Sequence, residues 1–198
     1  MNFLAHLHVA DPTPESRLGN LLGDFVRGLP DDDRFSDEIW HAIKMHRHVD
    51  AFTDADPAWK RSRDRLSKPL RRFGGIVIDV FYDHFLIRNW ANYEPNLSVE
   101  LFVDECHCDL ESVSHLAPAE ARNIFKRMES EGWLLSYESA AGIEHALDRI
   151  SRRSKVLKPV RESFPDFEKH FEGLESDFLE FYPRLLDFVD SKWRRDWP

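Results

Sequence analysis

The apolar positions of this chain recur mostly at spacings of three and four, the period of a helix buried on one side. The clearest stripe is near the end: Phe164, Phe167, Phe171, Leu174, Phe178, Phe181, Leu185 and Phe188. It predicts a long core-facing helix, which Pro183 should kink or split because proline lacks the N–H that continues the ladder. Leu18, Leu21, Leu22, Phe25 and Val26 make a second stripe, stopped by Gly28 and Pro30. Met1 to Val9 predicts a short helix ended by Asp11-Pro12. Ser36, followed by Asp37 and Glu38, signals a helix start and a run to about Phe52. Pro57 opens the next helix, predicted to about Arg72. Asn96 to Ser98, Pro118 and Ser139 open three more. No convincing strand pair and no Asn-Gly hairpin turn occurs. The expected fold class is all-α, a compact multi-helix bundle forming a single domain over 1–198.

One stretch breaks the one-sided pattern. Gly74 to Trp90 carries Ile76, Val77, Ile78, Val80, Phe81, Tyr82, Phe85, Leu86 and Ile87, leaving almost no polar side. A segment apolar all round is buried on all sides, and its length favours helix over strand. The rest of the bundle is therefore expected to be organised around it. Yet it holds Asp79, Asp83 and His84, and Asp79 and Asp83 share a helical face. A buried carboxylate costs several kcal/mol unless compensated. A metal ion would compensate it, and so would a network of Arg and His partners.

Charge narrows the partners. The 198 residues carry a formal net charge of -9, which argues against a general nucleic-acid binder. Basic residues are nevertheless concentrated twice. Lys60, Arg61, Arg63, Arg65, Lys68, Arg71 and Arg72 are opposed only by Asp64. Arg149, Arg152, Arg153, Lys155, Lys158 and Arg161 form a second such stretch. Local basic patches on an acidic chain point to an acidic partner at a defined place. Cys106 and Cys108 flank His107, but no second pair at zinc-finger spacing follows, so they read as reduced thiols. The N-terminus lacks the basic region of a signal peptide. No apolar run approaches the ~20 residues of a membrane span. The expectation is a cytoplasmic protein without a membrane segment.

The first half is crowded with candidate ligands. His6 falls in the first predicted helix and Asp24 in LGNLLGDFVRG. KMHRHVDAFTD carries His46, Arg47, Asp50 and Asp54, with His46 and Asp50 an i,i+4 pair. Asp or His at buried-looking positions on three separate helices can be satisfied together by one ion. Carboxylate and imidazole without thiolate suit Mn²⁺, Mg²⁺ or Fe²⁺ more than structural zinc. Such a centre activates water and polarises a phosphoryl oxygen. By analogy, His-Asp clusters between helices are the manner of HD-type phosphohydrolases.

MNFLAHLH, GNLLGDFVRG, MHRHVDAFTD and IDVFYDHFL, in this order and followed by FYPRLLDF, resemble the acyl carrier protein phosphodiesterases. The match runs from end to end and is densest in the first ninety residues. The resemblance implies a helical, distantly HD-like fold and a divalent metal, most often Mn²⁺. It implies hydrolysis of the phosphodiester joining 4'-phosphopantetheine to a serine of holo-acyl carrier protein. On this basis Asp24, His46, Asp50 and Asp83 are expected to hold the metal. His84 or His6 is expected to protonate the serine oxygen, Arg47 to pair with the phosphate, and Asp79 to orient a ligand histidine. The 60–72 stretch is expected to border the site and steer the acidic carrier protein. The same residues leave two other readings open: a phosphohydrolase for a nucleotide or other small phosphoester, and a non-catalytic protein that binds the carrier.

Overall fold

The structure is a computed structural model describing residues 1–28 and 34–194. Pro30, one of the predicted helix stops, lies outside the described residues. Among the described residues there are ten α-helices and no strand, in line with the all-α expectation. They are α1 Phe3–Val9, α2 Pro14–Leu22, α3 Asp37–Ala55, α4 Pro57–Arg65, α5 Gly74–Arg88, α6 Val99–Ser112, α7 Ala119–Ser130, α8 Trp133–Ser136, α9 Ala140–Ser151 and α10 Phe164–Val189. No helix is long and apolar enough to cross a membrane.

Helix starts follow the local chemistry. Ser36 Oγ accepts from Ile39 N at 3.3 Å, Ser98 Oγ from Leu101 N at 3.3 Å and Ser139 Oγ from Gly142 N at 3.1 Å. Each fills one of the donors that a helix leaves open in its first turn. Two boundaries differ from expectation. α2 begins at Pro14, capped by Thr13, and ends at Leu22, so Asp24 sits in a turn rather than on the helix. α4 stops at Arg65, and the basic stretch continues through a turn and a 3₁₀ segment, Arg71–Phe73.

α5 is the central element. It touches α1, α4, α9 and α10, and every residue from Val77 to Ile87 is buried except the half-buried Asp79. The aromatic stripe of α10 packs on it: Phe167 against Phe81 at 4.8 Å, Phe171 against Phe85 at 5.2 Å and Phe178 against Tyr82 at 5.3 Å between ring centroids. Phe167 and Phe178, buried in the core, each contribute roughly 1.5–3 kcal/mol, and the half-buried Phe171 less. The departure from helical backbone in α10 falls at His170 (φ -113, ψ 15), not at Pro183. Pro183 and Leu179, whose carbonyl loses its donor, are both exposed, so water can replace the missing bond.

α2 lies along α3 unusually closely. A Cβ added at Gly19 would come within 2.5 Å of Ala42 Cβ and 2.6 Å of the Ile39 carbonyl oxygen. That approach sets the turn after α2 beside the middle of α3. α1, one of the partners of α5, packs against α2, and its His6 reaches α3.

Candidate metal centre

His46 is the hub of the polar cluster at this junction. It sits at the C-terminal end of α2, where the last carbonyls have no helical donor. Its Nδ1 lies 2.7 Å from the Asn20 carbonyl oxygen, which can only accept. Nδ1 therefore carries the proton, and in the neutral ring Nε2 holds the lone pair. Nε2 points at two carboxylates: Asp50 Oδ2 at 3.2 Å and Asp24 Oδ1 at 3.5 Å. Gly23 makes room for the ring, since a Cβ there would collide with the imidazole carbons.

His6 completes the cluster from α1. Its ring stacks on His46 with centroids 3.9 Å apart, and its Nε2 lies 3.2 Å from Asp50 Oδ1. Although buried, neither ring nitrogen has a partner in hydrogen-bond geometry. Ligand atoms of His6, His46 and Asp50 lie within 4.8 Å of one another. The histidines are buried, while the Asp50 and Asp24 side chains are 39% and 59% exposed, so the cluster opens outward. It opens into a cleft of about 1150 Å³ also lined by Met1, Asn2, Asp79 and Trp133.

The titration of these groups reports their crowding. Burial opposes charge on His46, but the hydrogen bonds and charges of Asp24 and Asp50 prevail and push it up to about 9. Burial and the neighbouring His46 charge push His6 down to about 4. Burial favours neutral Asp50 and Asp24, yet contacts with His46 hold both below the usual carboxylate range. The Met1 amino group lies 3.0 Å from Asp50 Oδ1 and 3.2 Å from Asp79 Oδ2. Burial lowers its affinity for the proton, but Asp79 and Asp50 together raise it to about 11. Burial pushes Asp79 up to about 6. A neutral His6 with no donor to satisfy it, two ionised carboxylates and His46, whose Nε2 offers a second lone pair once a cation displaces its proton, form a donor set that fits a divalent cation.

Other expected site residues lie elsewhere. Asp83 does not join the cluster: its two oxygens accept from Leu4 N and Ala5 N, both at 3.1 Å, and so cap α1. Burial pushes its carboxyl up to about 7. His84 faces a different set of neighbours. Its Nδ1 donates to the Tyr137 carbonyl at 2.8 Å, and its ring packs among Phe85, Phe167 and Phe171. Successive helical residues diverge by about 100°, and here Asp83 turns to the start of α1 while His84 turns to Tyr137. Arg47 donates to the carbonyls of Val26 at 2.7 Å and Gly28 at 2.9 Å, bracing the turn that carries Asp24.

The 60–72 stretch is largely engaged with the protein itself. Arg61 and Arg65 each donate from Nε to Asp177 at 2.9 Å, and Arg61 also pairs with Glu180. Arg63 pairs with Asp64 at 3.2 Å, Arg71 donates to the Asp64 and Leu66 carbonyls, and Lys60 to the Ala55 carbonyl. Lys68 and Arg72 are exposed. None of this stretch lines the cleft, whereas Arg149, Arg152 and Arg153 do. Sequence reasoning passed over Asn20, Gly23 and Arg149 as site residues. Gly23 had a visible signal, a glycine directly before the candidate ligand Asp24.

Comparison with known proteins identifies the family. The model of the family described as acyl carrier protein phosphodiesterase matches residues 1–185. The chain is 40% identical over 192 residues to the acyl carrier protein phosphodiesterase of Yersinia enterocolitica, covering 97% of this chain and 99% of that protein. It is 36% identical over 192 residues to the proteins of that name from Pectobacterium atrosepticum and Escherichia coli O139:H28, with the same coverage. No solved structure matches. With the match extending over nearly its whole length, the chain belongs to the acyl carrier protein phosphodiesterase family.

Proposed function

We propose that this protein is a metal-dependent phosphodiesterase that releases 4'-phosphopantetheine from the serine of holo-acyl carrier protein, leaving the apo form. The observation that carries the reading is the stacked, buried His6–His46 pair. The Nε2 atoms of both rings converge on Asp50 at the head of the cleft, and neither ring nitrogen of His6 is in hydrogen-bond geometry. His6, His46, Asp50 and Asp24 would hold the ion, with Mn²⁺ the first choice and Mg²⁺ or Fe²⁺ alternatives. When bound, such an ion supplies Lewis acidity toward a phosphoryl oxygen and lowers the pKa of water. His6 thus takes the place that the sequence assigned to Asp83.

The chain's own groups supply the rest. Asn20 holds the His46 tautomer, and Arg47 fixes the Asp24 turn. Asp79 lines the cleft and is pushed toward neutrality by burial, whereas Asp24 and Asp50 are held ionised. A carboxyl poised near working pH is suited to proton transfer, and we assign Asp79 the proton for the departing serine oxygen. His84 and Asp83 act as scaffold in this reading. The chain works as one helical unit, since its apolar core draws on all ten helices. Cys106 and Cys108 are free thiols, which suits a reducing cytoplasm.

The test is turnover of holo-acyl carrier protein by wild type and Asp79→Asn, each with its metal content measured. Wild type should convert holo to apo. Asp79→Asn should keep its metal and lose most of kcat. Loss of metal together with activity would move Asp79 into the ligand set.

A further inference from the structure

The cleft beyond the metal centre has a second wall of different charge. Trp133 is approached there by two guanidiniums. Arg149 Cζ lies 3.9 Å from an indole ring centroid and Arg127 Cζ 5.4 Å. The two arginines are not equivalent. Arg127 is answered by Glu131, Nε to Oε1 at 2.9 Å. Arg149 has no carboxylate partner among the described residues. Its Nη2 reaches the Tyr137 hydroxyl at 3.5 Å, and its Nε, shielded from solvent, has no hydrogen-bond partner. Burial disfavours its charge. Four residues on, Arg153 is exposed on the same cleft without an ion pair among the described residues.

An indole face returns only about 0.5–2 kcal/mol to a cation, so it does not replace a missing acid. A guanidinium held over an indole, partly desolvated and without an ion-paired acid is prepared for an anion from outside. The candidate metal ligands come from α1, α3 and the turn after α2, whereas Arg149 comes from α9. The cleft, at about 1150 Å³, is larger than one phosphodiester needs. A substrate held by its phosphodiester at the metal centre leaves Arg149 free for a second negative group.

We propose that Arg149 and Arg153 form an anion-binding wall that grips carboxylates on the protein part of the substrate, outside the scissile phosphodiester. This rests on the carrier-protein reading above. It places recognition on α9 and the residues after it, not on the 60–72 stretch, whose arginines are mostly engaged by their own fold.

The experiment compares wild type, Arg149→Met, Arg153→Glu and the control Lys68→Glu on two substrates with Mn²⁺: holo-acyl carrier protein and bis(p-nitrophenyl) phosphate. Methionine keeps apolar contact with Trp133 and removes the charge, and the exposed Arg153 can be reversed without touching the core. Both wall variants should raise KM for the carrier protein at least about tenfold, leave kcat within about twofold, and leave the small diester unaffected. Lys68→Glu should match wild type. Unchanged KM in both wall variants would overturn the proposal. Equal losses on both substrates would also overturn it, by placing the arginines on the phosphodiester itself. Wild type that cleaves the small diester but never the carrier protein would instead overturn the functional reading, and the wall with it.

Discussion

Two polar clusters are buried between helices of this protein, and they differ in one respect. Around Asp177 every group is satisfied: Arg61 and Arg65 donate to separate oxygens, Ser62 Oγ donates at 3.1 Å, and Ser62 and the Tyr82 hydroxyl bond at 2.9 Å. That cluster ties α4 and α5 to α10 and asks for nothing more. Around His46 the accounts do not close. His6 has no hydrogen-bond partner, and two ionised carboxylates share one imidazole Nε2. Both clusters are rich in charge, so charge alone does not separate scaffold from site. Unsatisfied capacity beside a cleft does.

Substitution should separate them sharply. Asp50→Ala removes the carboxylate shared by His6, His46 and the Met1 amino group, and should cut turnover by roughly a thousandfold or more together with metal binding. Its metal-free fold should remain, as measured by circular dichroism. Asp177→Ala should do the reverse. It removes the acceptor of Arg65 and of Ser62 and one of the two acids that hold Arg61, and should cost about 2 kcal/mol in denaturant unfolding, with kcat of the folded enzyme close to wild type.

The two glycines that let α2 approach α3 give a finer version of the contrast. Gly23→Ala pushes into the His46 ring and should weaken metal affinity by roughly ten- to a hundredfold, read by metal titration. Gly19→Ala meets Ala42 and the Ile39 carbonyl, and should lower the melting temperature before it affects metal.

The smallest effect concerns pH in the metal-free protein. His46 is raised from 6.5 to about 9. A raised histidine contributes stability that is complete below about 6.5 and is lost as pH climbs through 9. Wild type should therefore lose more stability than His46→Gln between those values, measured by urea unfolding, and Mn²⁺ should remove the difference. Parallel curves for the two metal-free proteins would place the His46 proton elsewhere.

Much of this was legible in the chain itself. Ser36, Pro57, Ser98 and Ser139 act locally, so their helix starts could be read from neighbours alone. The three-four stripe of α10 and the all-round apolarity of α5 named the core. Asp24, His46 and Asp50 came together because HxxxD shares a face and a glycine-aspartate turn follows α2. Asp83 and His84 resisted reading for a physical reason: a helix apolar on every side carries no record of which neighbour each face meets. The 60–72 stretch misled similarly. Its charge is local, but the acids that answer Arg61 and Arg65 lie on α10, more than a hundred residues away in sequence. The unanswered arginine, Arg149, was one of six basic residues in a stretch with nothing to single it out.

The central claim is that the unsatisfied cluster is a metal centre cleaving the carrier-protein phosphodiester. Incubating metal-stripped protein with holo-acyl carrier protein, with and without Mn²⁺, and weighing the carrier by mass spectrometry tests it directly. The carrier should lose phosphopantetheine only when the ion is present and Asp50 is intact. Conversion to the apo form by thoroughly stripped protein, or by Asp50→Ala at the wild-type rate, would contradict it.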